Sequence, residues 1–307
     1  MKKIKILTEA SGSAVSSYML HAIRKTGNVA VGSDINDACA GKFIADEFIV
    51  FPKKEDGDLW IKIEEILTLR KIDIVIPSFD EMLLEWSKRK LMFEDLGVSV
   101  LISPPETIEI FQDKWETALF FENNDFPCAQ TSRSPIYPLV KPRFGRGSSG
   151  VFIEHDENLR ISKFSHDDIS QTILSGVEFT VDCLFNANGD PIYIIPRKRL
   201  GVVNGKSTGG ITVKNKLIER EIKRLARATH FVGPINIQCF VDGTNLSFVE
   251  VNPRVAGGMA LGMAATENWV PYFIDICTKT GGVKNPPNHE PAWGMKMFRT
   301  YQEYFSL

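Results

Sequence analysis

Phe248-Val249-Glu250-Val251-Asn252-Pro253-Arg254, followed by Gly257-Gly258, is the stretch on which the reading of this chain turns. Glu250 and Asn252 are two residues apart on a strand, so both side chains point to one face. Upstream, residues 235–241 form a second apolar run, and Asp242-Gly243-Thr244-Asn245 joins the two as a hairpin turn. Gln238 lies on that partner strand. To sit opposite Glu250 it needs a connecting loop of odd residue count, since an even count puts it out of line. One carboxylate and two amides form an oxygen-only set, which suits Mg²⁺, a cation that takes few protein ligands and keeps phosphate and water oxygens. Arg254 adds a fork-shaped donor for phosphate or carboxylate. Read in isolation, the same residues are an ordinary polar strand end.

Working outward, Gly176-Val177-Glu178 leads an alternating strand over 177–185 that carries Asp182. Residues 192–196 return as its hairpin partner. A Glu at a strand start is placed to accept a ribose hydroxyl. Arg197-Lys198-Arg199 follows, then Gly205-Lys206-Ser207-Thr208-Gly209-Gly210. This cationic run beside a Gly-rich turn reads either as a phosphate or carboxylate holder or as a solvated basic loop. Residues 217–229 are a helix. Earlier, Leu139-Val140-Lys141-Pro142 is a strand whose Lys precedes the loop Gly145-Arg146-Gly147-Ser148-Ser149-Gly150. Three Gly and two Ser let backbone N–H groups approach an anion, and Lys141 supplies a point charge. GxxxxGK[ST] is absent, so this is not a Walker loop, and a mobile surface loop is the plain alternative. A helix over 106–123 carries Asp113-Lys114.

The first hundred residues repeat strand and helix. Residues 4–7 form a strand, Glu9 to Ala14 a small-residue turn, the segment up to Lys25 a helix, and residues 29–34 a strand ending on Asp34. This is a βαβ unit. GxGxxG is missing, so a Rossmann-like half with a structural first turn is favoured over a nicotinamide site. Further strands cover 48–52, 72–77 and 98–102. Asp80-Glu81 sits at a strand carboxyl end, where open α/β sheets place ligands, and equally where a helix is capped. Ser103-Pro104-Pro105 marks a break, and the first domain is expected to end near residue 110.

The 307 residues suffice for two average domains. With 36 Lys+Arg against 38 Asp+Glu, the chain lacks the basic excess of a nucleic-acid binder. Its five Cys are scattered, without CxxC or Cys/His clustering, which argues against a disulfide framework or zinc site and for a cytoplasmic protein. No apolar run reaches a membrane span, and Thr8-Glu9 interrupts the only signal-like start. The five His fall in no motif, and no Ser/His/Asp or Cys/His nucleophile arrangement is visible.

In this order and spacing the pieces resemble an ATP-grasp protein, most of all the carbamoyl-phosphate synthetase large-subunit-like branch with its stand-alone carboxylate–amine ligases. The resemblance rests on Phe111-Gln112-Asp113-Lys114, 139–142 with the Gly loop, 176–182, Pro196-Arg197-Lys198-Arg199 and 248–254. It implies an α/β (α+β ATP-grasp) fold: a Rossmann-like parallel-sheet domain over 1–110, then an ATP-grasp domain over 111–307. The latter divides into a lid of about 125–175 and a C-terminal part of about 176–307. It implies ATP as substrate with one or two Mg²⁺, Mn²⁺ being an acceptable substitute. Lys114 and Lys141 would contact phosphates, with Gly145, Gly147, Ser148, Ser149 and Gly150 closing over them. Gln171, Thr172, Ile173 and Leu174 would hold adenine through the backbone, and Glu178 the ribose. Thr172 departs from the Glu common at the hinge, so a side-chain acceptor for the adenine amino group is lost. Gln238, Glu250 and Asn252 would coordinate the metal, and Arg254 and Arg199 would steady the transferred phosphoryl group or acyl phosphate.

The implied activity is an ADP-forming carboxylate–amine ligase, joining amino acids or similar small molecules through an acyl phosphate. A carbamate- or bicarbonate-type acceptor, and a non-catalytic ATP sensor, are the alternatives. The partners implied are small molecules, with neither nucleic acid nor membrane. Ser11 to Ser13 and Asp80-Glu81 are candidate acceptor contacts. The aromatic segment 295–304, a strand or short helix, closes the acceptor pocket or buries a homodimer interface.

Overall fold

The computed structural model describes residues 3–13, 16–145, 147, 149–203, 206–279, 290–300 and 302–305. Three sheets organise them. The first is parallel, with strands β1 (Lys5–Thr8), β2 (Val29–Asp34), β3 (Glu47–Val50), β4 (Ile74–Ile76) and β5 (Ser99–Val100), in the order β3-β2-β1-β4-β5. Its apolar strands are covered on both faces, as a parallel sheet requires. Alternation divides them: Ile6, Ala30 and Ile74 enter one core, while Leu7, Val31 and Val75 enter another with Trp86 and Phe93. The strand order reverses between β1 and β4, the crevice where such sheets hold ligands.

The second sheet is small and antiparallel: β6 (Thr131–Ser132), β7 (Leu139–Pro142), β8 (Phe152–Ile153) and β9 (Asp168–Gln171), in the order β6-β9-β7-β8. The third has β10 (Val177–Phe185), β11 (Pro191–Val203), β12 (Lys206–Thr212), β13 (Gly233–Asp242), β14 (Asn245–Asn252) and β15 (Lys296–Phe298), in the order β14-β13-β10-β11-β12-β15. One face of this sheet is apolar. Phe179, Val181, Cys183, Ile235, Ile237, Phe248 and Val251 pack against Ile218, Ile222 and Leu225 of helix Lys216–Ala228 and Phe121 of helix Lys114–Asn123. The other face is apolar only at one end, where Leu184, Tyr193 and Ile195 join Ile6, Leu20, Trp269 and Phe273 in a core shared with the parallel sheet.

Two expectations change, and a third resolves to one of its two stated alternatives. The helix expected over 106–123 is two helices, Pro105–Gln112 and Lys114–Asn123. Asp113 leaves the helical region and caps the second by accepting from Trp115 N. The basic run is no solvated loop: β11 continues through Arg197 and Arg199 to pair with β12. The segment expected over 295–304 contains the edge strand β15, which hydrogen-bonds to Gly209, Gly210 and Ile211. Ala14, Arg146, Ser148, Gly205 and the loop 281–288 lie outside the described residues.

Gly176 joins the second and third sheets at φ +95°, and a Cβ there would lie 2.4 Å from the Val241 carbonyl oxygen. Both partners are backbone, so neither can give without disturbing the β10–β13 pairing. Gly176→Ala is expected to cost about 2–4 kcal/mol, from left-handed strain plus overlap. Scanning calorimetry should read this as a thermal midpoint lowered by several degrees.

Candidate functional site

The polar part of the six-stranded sheet is a product of register. Glu250, Gln238, Thr180 and Arg197 lie side by side on β14, β13, β10 and β11, and Asn252, Asn236 and Asp182 form the next row. Cross-strand partners share a face, so this end of the sheet is polar throughout. The β13–β14 turn contains two residues, Gly243 and Thr244, and an even count alone would place Val249 opposite Gln238. A register shift between Gln238 and Cys239 absorbs one residue of β14 and brings Glu250 into line. The expectation that an even loop misaligns the pair is thus corrected by a bulge. Burial records it: Leu246 and Phe248 enter the core, and the next to do so is Val251.

Gln238 and Asn252 converge on one atom. Gln238 Nε2 donates to Glu250 Oε1 at 2.7 Å and Asn252 Nδ2 donates to the same oxygen at 3.2 Å. The donor set fits a hard cation: a carboxylate flanked by two amides, each with a carbonyl oxygen to offer. Among the described residues no group of three His, Cys, Asp or Glu side chains forms a rival site. With a single carboxylate, this set suits a cation that also draws oxygens from a bound phosphate.

Two lysines face Glu250. Lys141, from β7, is 6% exposed. Burial pushes its ammonium down to about 8, against the pull of the Glu250 charge and with the help of the neighbouring Lys114 charge. Lys114 opens its helix, and burial lowers it too, opposed by Glu250, Asp80 and Asp113. Its Nζ donates to the Gly145 carbonyl at 2.9 Å and its N–H to the Arg143 carbonyl at 3.1 Å. Asp113 grips the same loop, accepting from Arg143 Nε through both carboxylate oxygens at 2.7 Å. Gly145, Gly147 and Gly150 adopt φ of +107°, +68° and +73°, which only glycine takes freely. The loop base is therefore pinned to the helix that carries Lys114, with Ser149 on its exposed part.

The remaining sequence-predicted residues are engaged with neighbouring side chains and backbone. Glu178 is ion-paired with Arg199 at 3.4 Å, and Arg199 Nε also donates to Thr180 Oγ1. At the hinge, Gln171 donates through Nε2 to Thr131 Oγ1. Thr172 is bound twice to Gln130, by N–H to carbonyl and by hydroxyl from N–H, both at 3.0 Å. Its side chain therefore pins this segment to Gln130. Ile173 is exposed and Leu174 half-buried beyond it. Arg254 forms a bidentate pair with Asp80, from Nε at 2.6 Å and Nη2 at 2.9 Å. Asp80, in the turn after β4, is thus tied to the end of β14.

Sequence reading missed the buried floor. Asp182 is fully buried and takes Arg197 Nε at 2.9 Å and Asn236 Nδ2 at 2.9 Å. Arg197 is 3% exposed, and its Nη1 has no partner among the described residues. Gly258 lies directly over it, since a Cβ there would fall 2.1 Å from Nη2. The one available signal was Asp182 and Arg197 at interior positions of paired strands, where unpaired charge is not tolerated.

Residues 166–300 match a family model described as ATP-grasp in the biosynthetic pathway with Ter operon. This stretch, somewhat under half of the chain, is similar to an ATP-grasp domain. It is 26% identical over 215 residues to the arginine-specific carbamoyl phosphate synthase large chain of Halalkalibacterium halodurans, covering 60% of this chain and 20% of that one. The Agathobacter rectalis large chain is 27% identical over 225 residues, again with 20% of its length matched. The chain thus spans about one fifth of these curated relatives. Among solved structures, N5-carboxyaminoimidazole synthetase of Staphylococcus aureus superposes with TM-score 0.72 at 18% identity, covering 97% of this chain and 83% of that one. A biotin carboxylase from Campylobacter jejuni gives 0.70 at 13% identity, over 90% and 71%. At these identities the structural likeness is one of fold, and it agrees with the α/β ATP-grasp architecture expected above.

Lys141 gives the site a pH signature. Its cation is present below about 8 and lost above it. Affinity for MgADP is expected to fall on the alkaline side of about pH 8, by at most roughly tenfold per pH unit. Titration calorimetry checks this, and Lys141→Met should bind weakly throughout with that limb absent.

Proposed function

We propose that the protein is an ADP-forming carboxylate–amine ligase acting on small molecules, most simply amino acids. The observation that carries this is the convergence of Gln238, Glu250 and Asn252 on one point faced by Lys141 and Lys114. That is an oxygen donor set whose carboxylate acts on two cations. The division is taken as a parallel-sheet domain over 1–110 and an ATP-grasp domain over 111–307, the lid being about 125–175. Lys141 and Lys114 hold the phosphates, and the glycine loop, through Gly145, Gly147, Ser148, Ser149 and Gly150, covers them. The backbone of Gln171, Thr172, Ile173 and Leu174 receives the adenine, and Glu178 the ribose. Gln238, Glu250 and Asn252 would hold Mg²⁺, which when bound neutralises charge on the transferring phosphoryl group.

The substrate carboxylate oxygen attacks the γ-phosphorus, the bond to ADP breaks, and an acyl phosphate results. An amine then attacks the acyl carbon, loses a proton, and phosphate departs. Arg254 and Arg199 supply positive charge on the same face as Glu250, where charge accumulates during both transfers. Lid closure keeps water from the acyl phosphate. No side-chain nucleophile is required.

Phosphorus NMR with ATP, Mg²⁺ and pools of amino acids and small carboxylates tests the reading. ADP and phosphate formed only with certain pools are expected, and subdividing those pools identifies the substrates. AMP and pyrophosphate, or no turnover with any pool, would overturn it. Glu250→Gln is expected to lower turnover by roughly 100-fold or more while leaving the folded state intact.

A further inference from the structure

Glu9 follows β1 at the point where the strand order of the parallel sheet reverses. It reads in the sequence as part of a small-residue turn, yet it is 5% exposed. Its Oε2 accepts from Ser78 N at 2.9 Å and from Phe79 N at 3.3 Å, and its Oε1 accepts from Trp86 Nε1 at 2.7 Å. The Glu9 carbonyl also accepts from Ser78 Oγ at 2.9 Å. Trp86 is itself fully buried against Trp60 and Phe93. Ser78 and Phe79 immediately precede Asp80, so the peptide planes Glu9 holds are those that aim the Asp80 side chain.

Asp80 in turn orients Arg254. A guanidinium has five N–H donors. Asp80 takes two, Asn252 Oδ1 takes one at 3.3 Å and the Val255 carbonyl takes one at 3.1 Å. Among the described residues one Nη1–H has no acceptor, and its direction is set by the other four. Burying a carboxylate this deeply is costly, and burial does push the Glu9 carboxyl up, with Ser78, Trp86 and Phe79 N–H groups opposing. An apolar residue would fill the same space without that cost, and so would leave the Ser78 and Phe79 N–H groups without an acceptor.

We infer that Glu9 is a positioning residue for the phosphoryl-transfer site, acting through the Ser78–Phe79 backbone and Asp80 to hold the last free Arg254 N–H toward the transferred group. This rests on the ligase reading. Glu9 touches neither substrate nor reacting atoms, so its effect must pass through Asp80.

The test compares Mg-bound AMPPNP, which carries a γ-phosphate analogue, with MgADP, both by titration calorimetry. Glu9→Gln keeps size but turns one acceptor into a donor that faces an N–H. It is expected to reduce the preference for AMPPNP over ADP by about tenfold to a hundredfold, the effect of losing one hydrogen bond to a charged group, with ADP affinity unchanged within twofold. Asp80→Asn should likewise reduce that preference, and Glu9→Gln in the Asp80→Asn background should reduce it no further. Trp86→Phe, which removes one anchor of Glu9 and keeps a ring in the core, should give a smaller loss in the same direction and serves if Glu9→Gln does not fold. An unchanged preference in both single variants of the Glu9–Trp86 pair, an equal loss of ADP binding, or fully multiplicative effects of Glu9→Gln and Asp80→Asn would overturn this inference alone. Absence of nucleotide binding by the unaltered protein would overturn the ligase reading and this inference together.

Discussion

Side chains on a β-strand alternate between two faces, and the six-stranded sheet depends on that constraint. Phe179, Val181, Ile237 and Val251 turn to one side and build a core with two helices. Thr180, Asp182, Gln238, Glu250 and Asn252 necessarily turn to the other. Burial of the first set supplies the driving force that holds the second set in register. The polar face is thus kept in register by apolar contacts on its reverse.

The two ends of that polar face meet different surroundings. At one end Leu184, Tyr193 and Ile195 are sealed against the parallel sheet and the helix Val270–Thr278. At the other, the charge of Glu250 acts on the buried ammonium groups of Lys141 and Lys114. Between them lies the pair Asp182–Arg197, buried and hydrogen-bonded to Asn236. Breaking such a pair from one side leaves an uncompensated buried charge, which is strongly destabilising. Gly258 and Gly262 are small because the Arg197 guanidinium and the Asp182 side chain occupy the space a Cβ would need. The boundary between core and site is therefore rigid, which suits a face on which reacting groups must be held to a fraction of an ångström.

Arg254 links the sheets. Its pair with Asp80 joins residues 174 positions apart and makes the carboxyl end of the parallel sheet a wall of the site. Gln112, donating to the Asp80 carbonyl, closes the same corner. A cation placed this way has its charge partly balanced and its direction defined before any substrate enters, which is the economy of preorganised electrostatics.

Local patterns were legible because they have short range. The βαβ order, the alternation in 177–185 and 246–252, the helix over 217–229 and the Lys141–glycine loop depend on residues within a few positions of one another. The spacing of Glu250, Asn252 and Arg254 likewise determined that they share one strand end. What the tertiary structure alone decided is long-range. The bulge that aligns Gln238 with Glu250 is invisible to a count of turn residues. The burial of Glu9, Arg197 and Asp182 follows from which elements pack over them, and the Asp80–Arg254 pair from how two sheets dock. Residues far apart in sequence carry no mutual periodicity, so only the packed chain brings their charges together.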